Sequence, residues 1–321
     1  MINLSYHLSE SIESNLKAIN QLRINILTEP IKPKTEMFLR WNSNIEKAYW
    51  GLTLADNPLT KRQITKILEG PLPKRLKDSE KEVISYINTL NYIRHNWTGS
   101  FTKNINTDTI LNIYNLSCKS VFGSTSAYYK SKVQTVDKII EFIEKGKDHP
   151  VIKAGLIQIE IIKLSPFENG TGRVARLLSH LMLSKYGFDM RGLLVLEDYY
   201  REDLVSLKEA ITSIEKSGTQ SKSHKNATQW LEYFTSGVKK SMEKLLKTLS
   251  ERSDLSDIWK LTDRQKKISE RLNNPNIKIT NKEVQKMFKV SQITASRDLS
   301  KMVNFGILLP HGKGRSVFYT K

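Results

Sequence analysis

The chain is short of cysteine, of acidic residues and of long apolar runs, and each shortage removes a class of protein. One cysteine in 321 residues, Cys118, excludes an internal disulfide framework and suits a reducing cytosol; it reads as a small buried residue rather than a nucleophile. No apolar stretch is long and uninterrupted enough to span a bilayer, and residues 1–10 are too polar for a signal peptide, so a cytoplasmic protein is expected. Asp and Glu number 33 against 51 Lys and Arg, a net charge of +18 with a pI near 9.7. That imbalance suits an anionic partner, most simply nucleic acid, although a solvated lysine-rich surface would have the same charge. The hydrophobic share of 39% and the charged share of 26% are those of a globular protein long enough for one large and one small domain.

Hydrophobic periodicity predicts a mainly α fold. Helical stripes run over residues 12–27, 35–49, 61–69 behind an N-cap at Thr60, 77–95, and 107–121 behind Thr107 or Asp108. Residues 123–136 carry small, aromatic and β-branched side chains and predict a short hairpin. A helix through residues 139–143 should end near Gly146, and residues 149–164 are apolar on so many sides that their helix must be central. Residues 228–249 supply a last long helix.

Between the central helix and the next lies Leu-Ser-Pro-Phe-Glu-Asn-Gly-Thr-Gly-Arg-Val-Ala-Arg, residues 164–176. Pro166 should end one helix, because its ring clashes one turn back and its nitrogen has no proton to donate. Gly170 and Gly172 allow a sharp turn, and a helix beginning at about Thr171 carries Arg173 and Arg176 in its first turns. Free amides and the positive end of a helix dipole beside two arginines make an anion site, with phosphate as the natural guest.

Ser-Pro-Phe-x-Asn-Gly-Thr-Gly-Arg-x-x-Arg resembles the Fic (Fic/Doc) family signature, His-Pro-Phe-x-Asp/Glu-Gly-Asn-Gly-Arg-x-x-Arg, and residues 149–154 and 199–200 extend the likeness. The resemblance implies a Fic-type helical bundle with a short flap hairpin at residues 123–136, and nucleotidyl transfer from ATP to a protein hydroxyl. It further implies nucleotide or phosphate binding by Phe167, Asn169, Gly170, Thr171, Gly172, Arg173 and Arg176, with Tyr199 and Tyr200 beside the base. Three positions depart: Ser165 stands at the family's general-base histidine, Asn169 at its magnesium-binding acid, and Thr171 at its asparagine. A serine hydroxyl accepts no proton near neutral pH without a base of its own, and a neutral amide is a poor partner for a dication. ATP is therefore expected as a ligand at most, with magnesium doubtful. Some relatives carry an inhibitory N-terminal helix whose glutamate faces the second signature arginine; Glu46, in Asn-Ser-Asn-Ile-Glu-Lys, resembles that glutamate and would face Arg176.

The last stretch differs in composition. From Trp259 onward there are fourteen Lys and Arg against four Asp and Glu, a net of +10 in 63 residues. Helices over 263–272, 282–288 behind Thr280 or Asn281, and 292–304, followed by a basic hairpin, resemble a winged helix-turn-helix. Gln292, Thr294, Ser296 and Arg297 would meet base edges, with Lys313 and Arg315 in the wing on phosphates. Winged helices also serve as protein-docking modules. The expected organisation is N-terminal helices at 1–70, a Fic-like core at 71–250 and a winged-helix domain at 258–321.

Three functions remain open: a Fic-like regulator with an inactive, nucleotide-binding loop and a DNA-binding domain; an AMP transferase with a base from elsewhere, such as His149 or His180; and a Fic fold serving only as a homodimerisation body. A protein target is implied only by the family.

Overall fold

Apolar stripes and polar caps mark out the helices of the computed structural model, which describes residues 4–70, 75–216, 225–251, 261–272, 277–304, 307–312 and 314–320. In order, α1 (Glu10–Thr28), α2 (Pro33–Thr53), α3 (Lys61–Glu69), α4 (Asp78–Trp97), α5 (Thr107–Ser117) and α6 (Lys119–Phe122) precede α7 (Ser126–Lys145) and α8 (Pro150–Leu164). Then come α9 (Thr171–Lys185), α10 (Glu197–Glu202), α11 (Leu204–Lys216) and α12 (Thr228–Glu251). Two short strands, β1 (Leu4–Ser5) and β2 (Lys225–Asn226), pair in parallel and tie the N-terminus to the foot of α12. Thr60 caps α3 in a reciprocal capping box with Gln63. The cap of α5 is Asn106, one residue before the pair expected from sequence, because its side-chain oxygen already reaches the Thr109 amide at 2.8 Å.

Helix α8 is the axis, buried continuously from Val151 to Ile159. Gly155 sets its distance from α12. A Cβ there would lie 2.9 Å from Leu231 and 3.0 Å from Phe234, and the Trp230 indole donates to the Gly155 carbonyl at 2.8 Å. Helix α9 folds back along α8, so the six residues between them are presented at one end of the bundle.

The expected hairpin at residues 123–136 is absent: Gly123 turns with φ +77°, and the chain then runs as α7. The reason is that Tyr129, Val136, Ile140 and Ile143 fall on one helical stripe and are all buried. The β-branched residues that favour a strand locally are recruited into the core of a helix. The predicted helix over 107–121 is also broken, at buried Cys118, into α5 and α6.

The C-terminal residues form α13 (Asp263–Arg271), β3 (Ile279–Thr280), α14 (Asn281–Phe288), α15 (Gln292–Asn304), β4 (Leu309–His311) and β5 (Phe318–Thr320). The three strands make an antiparallel sheet in the order β3-β5-β4, with Ile279 opposite Tyr319 and Leu309 opposite Thr320. Strand β4 begins only at Leu309, because the Ile307 and Leu308 amides close the end of α15 on the Met302 carbonyl and both side chains are buried. The expected boundary between large and small domains, between residues 250 and 258, lies almost wholly outside the described residues, which omit 252–260.

Candidate functional site

The turn between α8 and α9 is anchored by one ring. Phe167 is buried between Tyr114 of α5, at a centroid distance of 4.6 Å, and Tyr129 of α7, at 5.2 Å, with its plane within 15° of both. Ser165 ends α8 in the left-handed region at φ 45°. Its hydroxyl is exposed, 3.5 Å from that of Thr171, which in turn donates to the Phe167 carbonyl at 3.0 Å. Asn169 and Glu168 are exposed. Gly170 sits at φ +80° with Cys118 directly behind it; a Cβ would come within 2.6 Å of the sulfur, so the turn accepts nothing larger.

Helix α9 starts without a side-chain cap, which leaves its first amides open to a ligand. Arg176 lies alongside them. Its Nη2 donates to the Gly51 carbonyl of α2 at 2.8 Å, and its Nη1 is 3.4 Å from where a Cβ on Gly172 would stand. Arg173, by contrast, faces inward. Its Nη2 pairs with Glu82 of α4 at 2.6 Å, its Nη1 donates to the Ser117 carbonyl at 3.1 Å, and Asn57 donates at 2.6 Å to the second oxygen of Glu82. The expectation that both arginines face a phosphate is thus corrected: Arg176 remains at the helix start, and Arg173 is committed to the core.

Below Arg176 lies a buried polar cluster that periodicity alone did not reveal. Glu197 of α10 accepts from Tyr86 at 2.9 Å and contacts His180 Nε2 at 2.7 Å, while Lys47 of α2 donates to the Gly192 carbonyl at 2.8 Å. Burial opposes ionisation of Glu197, but His180 and Lys47 outweigh it and hold the carboxyl at about 2. Burial also lowers Lys47, offset in part by Glu197 and Asp189. The available signal was a charged residue on an apolar stripe: Lys47 beside Ala48, and Glu82 beside Val83.

Residues 73–183 match the model of the Fic/DOC family. The chain carries a Fic/DOC domain. Its fold is similar to that of a Fic family protein from Desulfovibrio desulfuricans G20, with a TM-score of 0.64 at 15% identity over 99% of this chain and 97% of that one. It also resembles Fic-1 (residues 134–508) from C. elegans, at 0.57 and 16% over 74% and 71%. A Fic domain containing signaling protein from Bacteroides thetaiotaomicron VPI-5482 aligns at 0.53 and 21% over 75% and 97%. No curated protein matches.

Glu46, on α2 ahead of the Fic/DOC domain, does not face Arg176. It is held by Lys61 and by the Trp50 indole at 3.0 Å, and the α2 group that reaches Arg176 is the Gly51 carbonyl. The physical reason is helical phase, since Glu46 and Gly51 are five residues apart and lie on different faces. Tyr200 is buried with its hydroxyl on Gln158 at 3.0 Å, and Tyr199 packs on Gly237 of α12 and 5.0 Å from Tyr233, so both tyrosines serve the α10–α12 packing. His149 bonds Asn20 at 3.1 Å and lies edge-on to Phe188, and His180 is spent on Glu197. Among the described residues no three His, Cys, Asp or Glu side chains gather to hold a metal, and with Asn169 at the acid's position the donors do not fit a hard dication.

At the C-terminus, Gln292 and Arg297 are exposed on the first turns of α15, with Thr294 and Ser296 half-buried; the Thr294 hydroxyl is 3.0 Å from that of Ser291. The helix's one acid, Asp298, is turned inward onto Arg264 and Gln265. Helix α15 also touches α3, yet this turn stays open. Arg315 lies in a 3-10 turn at Gly314–Ser316, and Lys313 lies outside the described residues.

Proposed function

We propose that the protein is a DNA-binding regulator in which the Fic/DOC domain has lost its transfer chemistry and keeps an anion-accepting loop at the start of α9. The observation that carries this reading is the isolation of Ser165: among the described residues its hydroxyl meets the Thr171 hydroxyl and no base, and the two histidines that could replace the missing base, His149 and His180, are engaged with Asn20 and Glu197. General-base catalysis is worth roughly 10²–10⁴-fold, so its loss alone would leave transfer negligible. The uncapped α9 amides with Arg176 beside them support binding of a nucleotide phosphate.

The DNA half of the reading is supported by the order helix, strand, two helices and hairpin, by the +10 charge of the last 63 residues, and by the exposed Gln292 and Arg297. The corresponding division is a Fic/DOC body followed by a winged-helix domain from about residue 258. Incubation with labelled ATP and magnesium should leave no label on the protein or on lysate proteins, while electrophoretic shift at low salt should show retained DNA. Clear labelling, or no retention of any DNA, overturns the corresponding half.

A further inference from the structure

Away from the signature loop, a cavity of about 210 Å³ opens between α2, α4 and the chain leading into β4. Its lining is one-sided. Arg40, Arg94 and His95 face it together with Asn44, Asn88 and Asn91, and no Asp or Glu stands among the described lining residues. Leu308, Leu309 and Pro310 close it from the C-terminal side.

The cations are incompletely used. Arg40 donates from Nε to the Arg191 carbonyl at 3.1 Å and pairs through Nη2 with Glu36, which also lies 3.6 Å from Arg191. The buried Nε of Arg94 has no hydrogen-bond partner, and its Nη2 donates to the neighbouring His95 ring at 3.0 Å. Burial and the charge of Arg40 both lower the Arg94 guanidinium, with Asp189 offsetting part of this, and burial and Arg94 both lower His95. Like charges brought together in a partly desolvated pocket gain most from a counter-ion that several of them can share. The volume lies below the roughly 300 Å³ at which drug-sized pockets begin, so the guest is small.

We propose that this cavity binds a small multivalent oxyanion through Arg94 and Arg40, with the asparagines completing its hydrogen bonds and residues 308–310 covering it. The site is separate from the loop at α9, and its occupant bridges the Fic/DOC body and the C-terminal segment. The proposal does not rest on DNA binding or on the catalytic state of Ser165.

The test uses the full chain with orthophosphate and with citrate, which separate a phosphoryl guest from a carboxylate one. Hydrogen exchange in the wild-type chain should slow at residues 37–44, 88–95 and 307–311 with at least one of the two. In an Arg176→Met background, which disables the loop, calorimetry should still show saturable binding, weakened about tenfold or more by Arg94→Met and largely restored by Arg94→Lys. Protection confined to residues 165–176, or an affinity unchanged by Arg94→Met in a protein that still melts cooperatively, overturns the proposal. So does the absence of saturable binding for both anions.

Discussion

Two arginines three residues apart share one face of α9 yet have opposite fates, set by the partners each guanidinium meets. Arg173 projects toward α4 and meets Glu82, while Arg176 stays at the end of the bundle beside Gly172. Removing one member of a buried ion pair leaves the other uncompensated, so Arg173→Met should cost about 3–5 kcal/mol in chemical denaturation. Arg176→Met should cost less than half of that and, if ATP binds at this loop, should abolish any rise in melting temperature that ATP gives the wild type. Equal destabilisation by the two would contradict their assigned places. From sequence alone both arginines were legible as phosphate ligands, since the signature spacing carries no information about which neighbour offers a carboxylate.

At the scale of elements, the buried Glu197 joins α10 to α9 through His180 and to α4 through Tyr86, with Lys47 of α2 close by. The carboxyl is held at about 2 in the folded chain, against 4.5 for an ordinary glutamate. Its stabilisation is therefore full above about pH 4.5 and is lost as pH falls through the folded value. Urea denaturation should find Glu197→Gln about 3–5 kcal/mol less stable at pH 7, with the gap to wild type narrowing below pH 4.5. A gap constant down to pH 3 would remove the carboxylate from that role. Most helices were legible, because an amphipathic stripe and a polar cap are local features; α3 behind Thr60 is one case. Helix α7 was not. Its first half has strand-like residues, and only the space against Phe167 and the neighbouring helices decides that Tyr129 and Val136 belong to one stripe.

For the whole molecule the charge is unevenly placed, with more than half of the +18 carried by the last 63 residues. If that segment holds DNA, affinity should fall log-linearly with salt, with a slope of about −0.9 per phosphate neutralised. Arg297→Ala should cost about 1–3 kcal/mol on a preferred sequence and little on random DNA, measured by fluorescence anisotropy at several salt concentrations. A uniform loss on all sequences would make Arg297 a phosphate contact.

The sequence by itself determined most of the helical stretches, though not α7, where the α8–α9 turn falls, and that Ser165, Asn169 and Thr171 stand where the signature has other residues. These are consequences of short-range sterics, capping and residue identity. Only the tertiary structure decided that Arg173 is spent on Glu82, that Glu46 belongs to Lys61 and Trp50, and that Arg40, Arg94 and His95 share a cavity with Leu308–Pro310. Each of these pairings joins residues far apart in the chain. Electrostatic partnership depends on distance in space and on burial, and neither is written in the local order of residues.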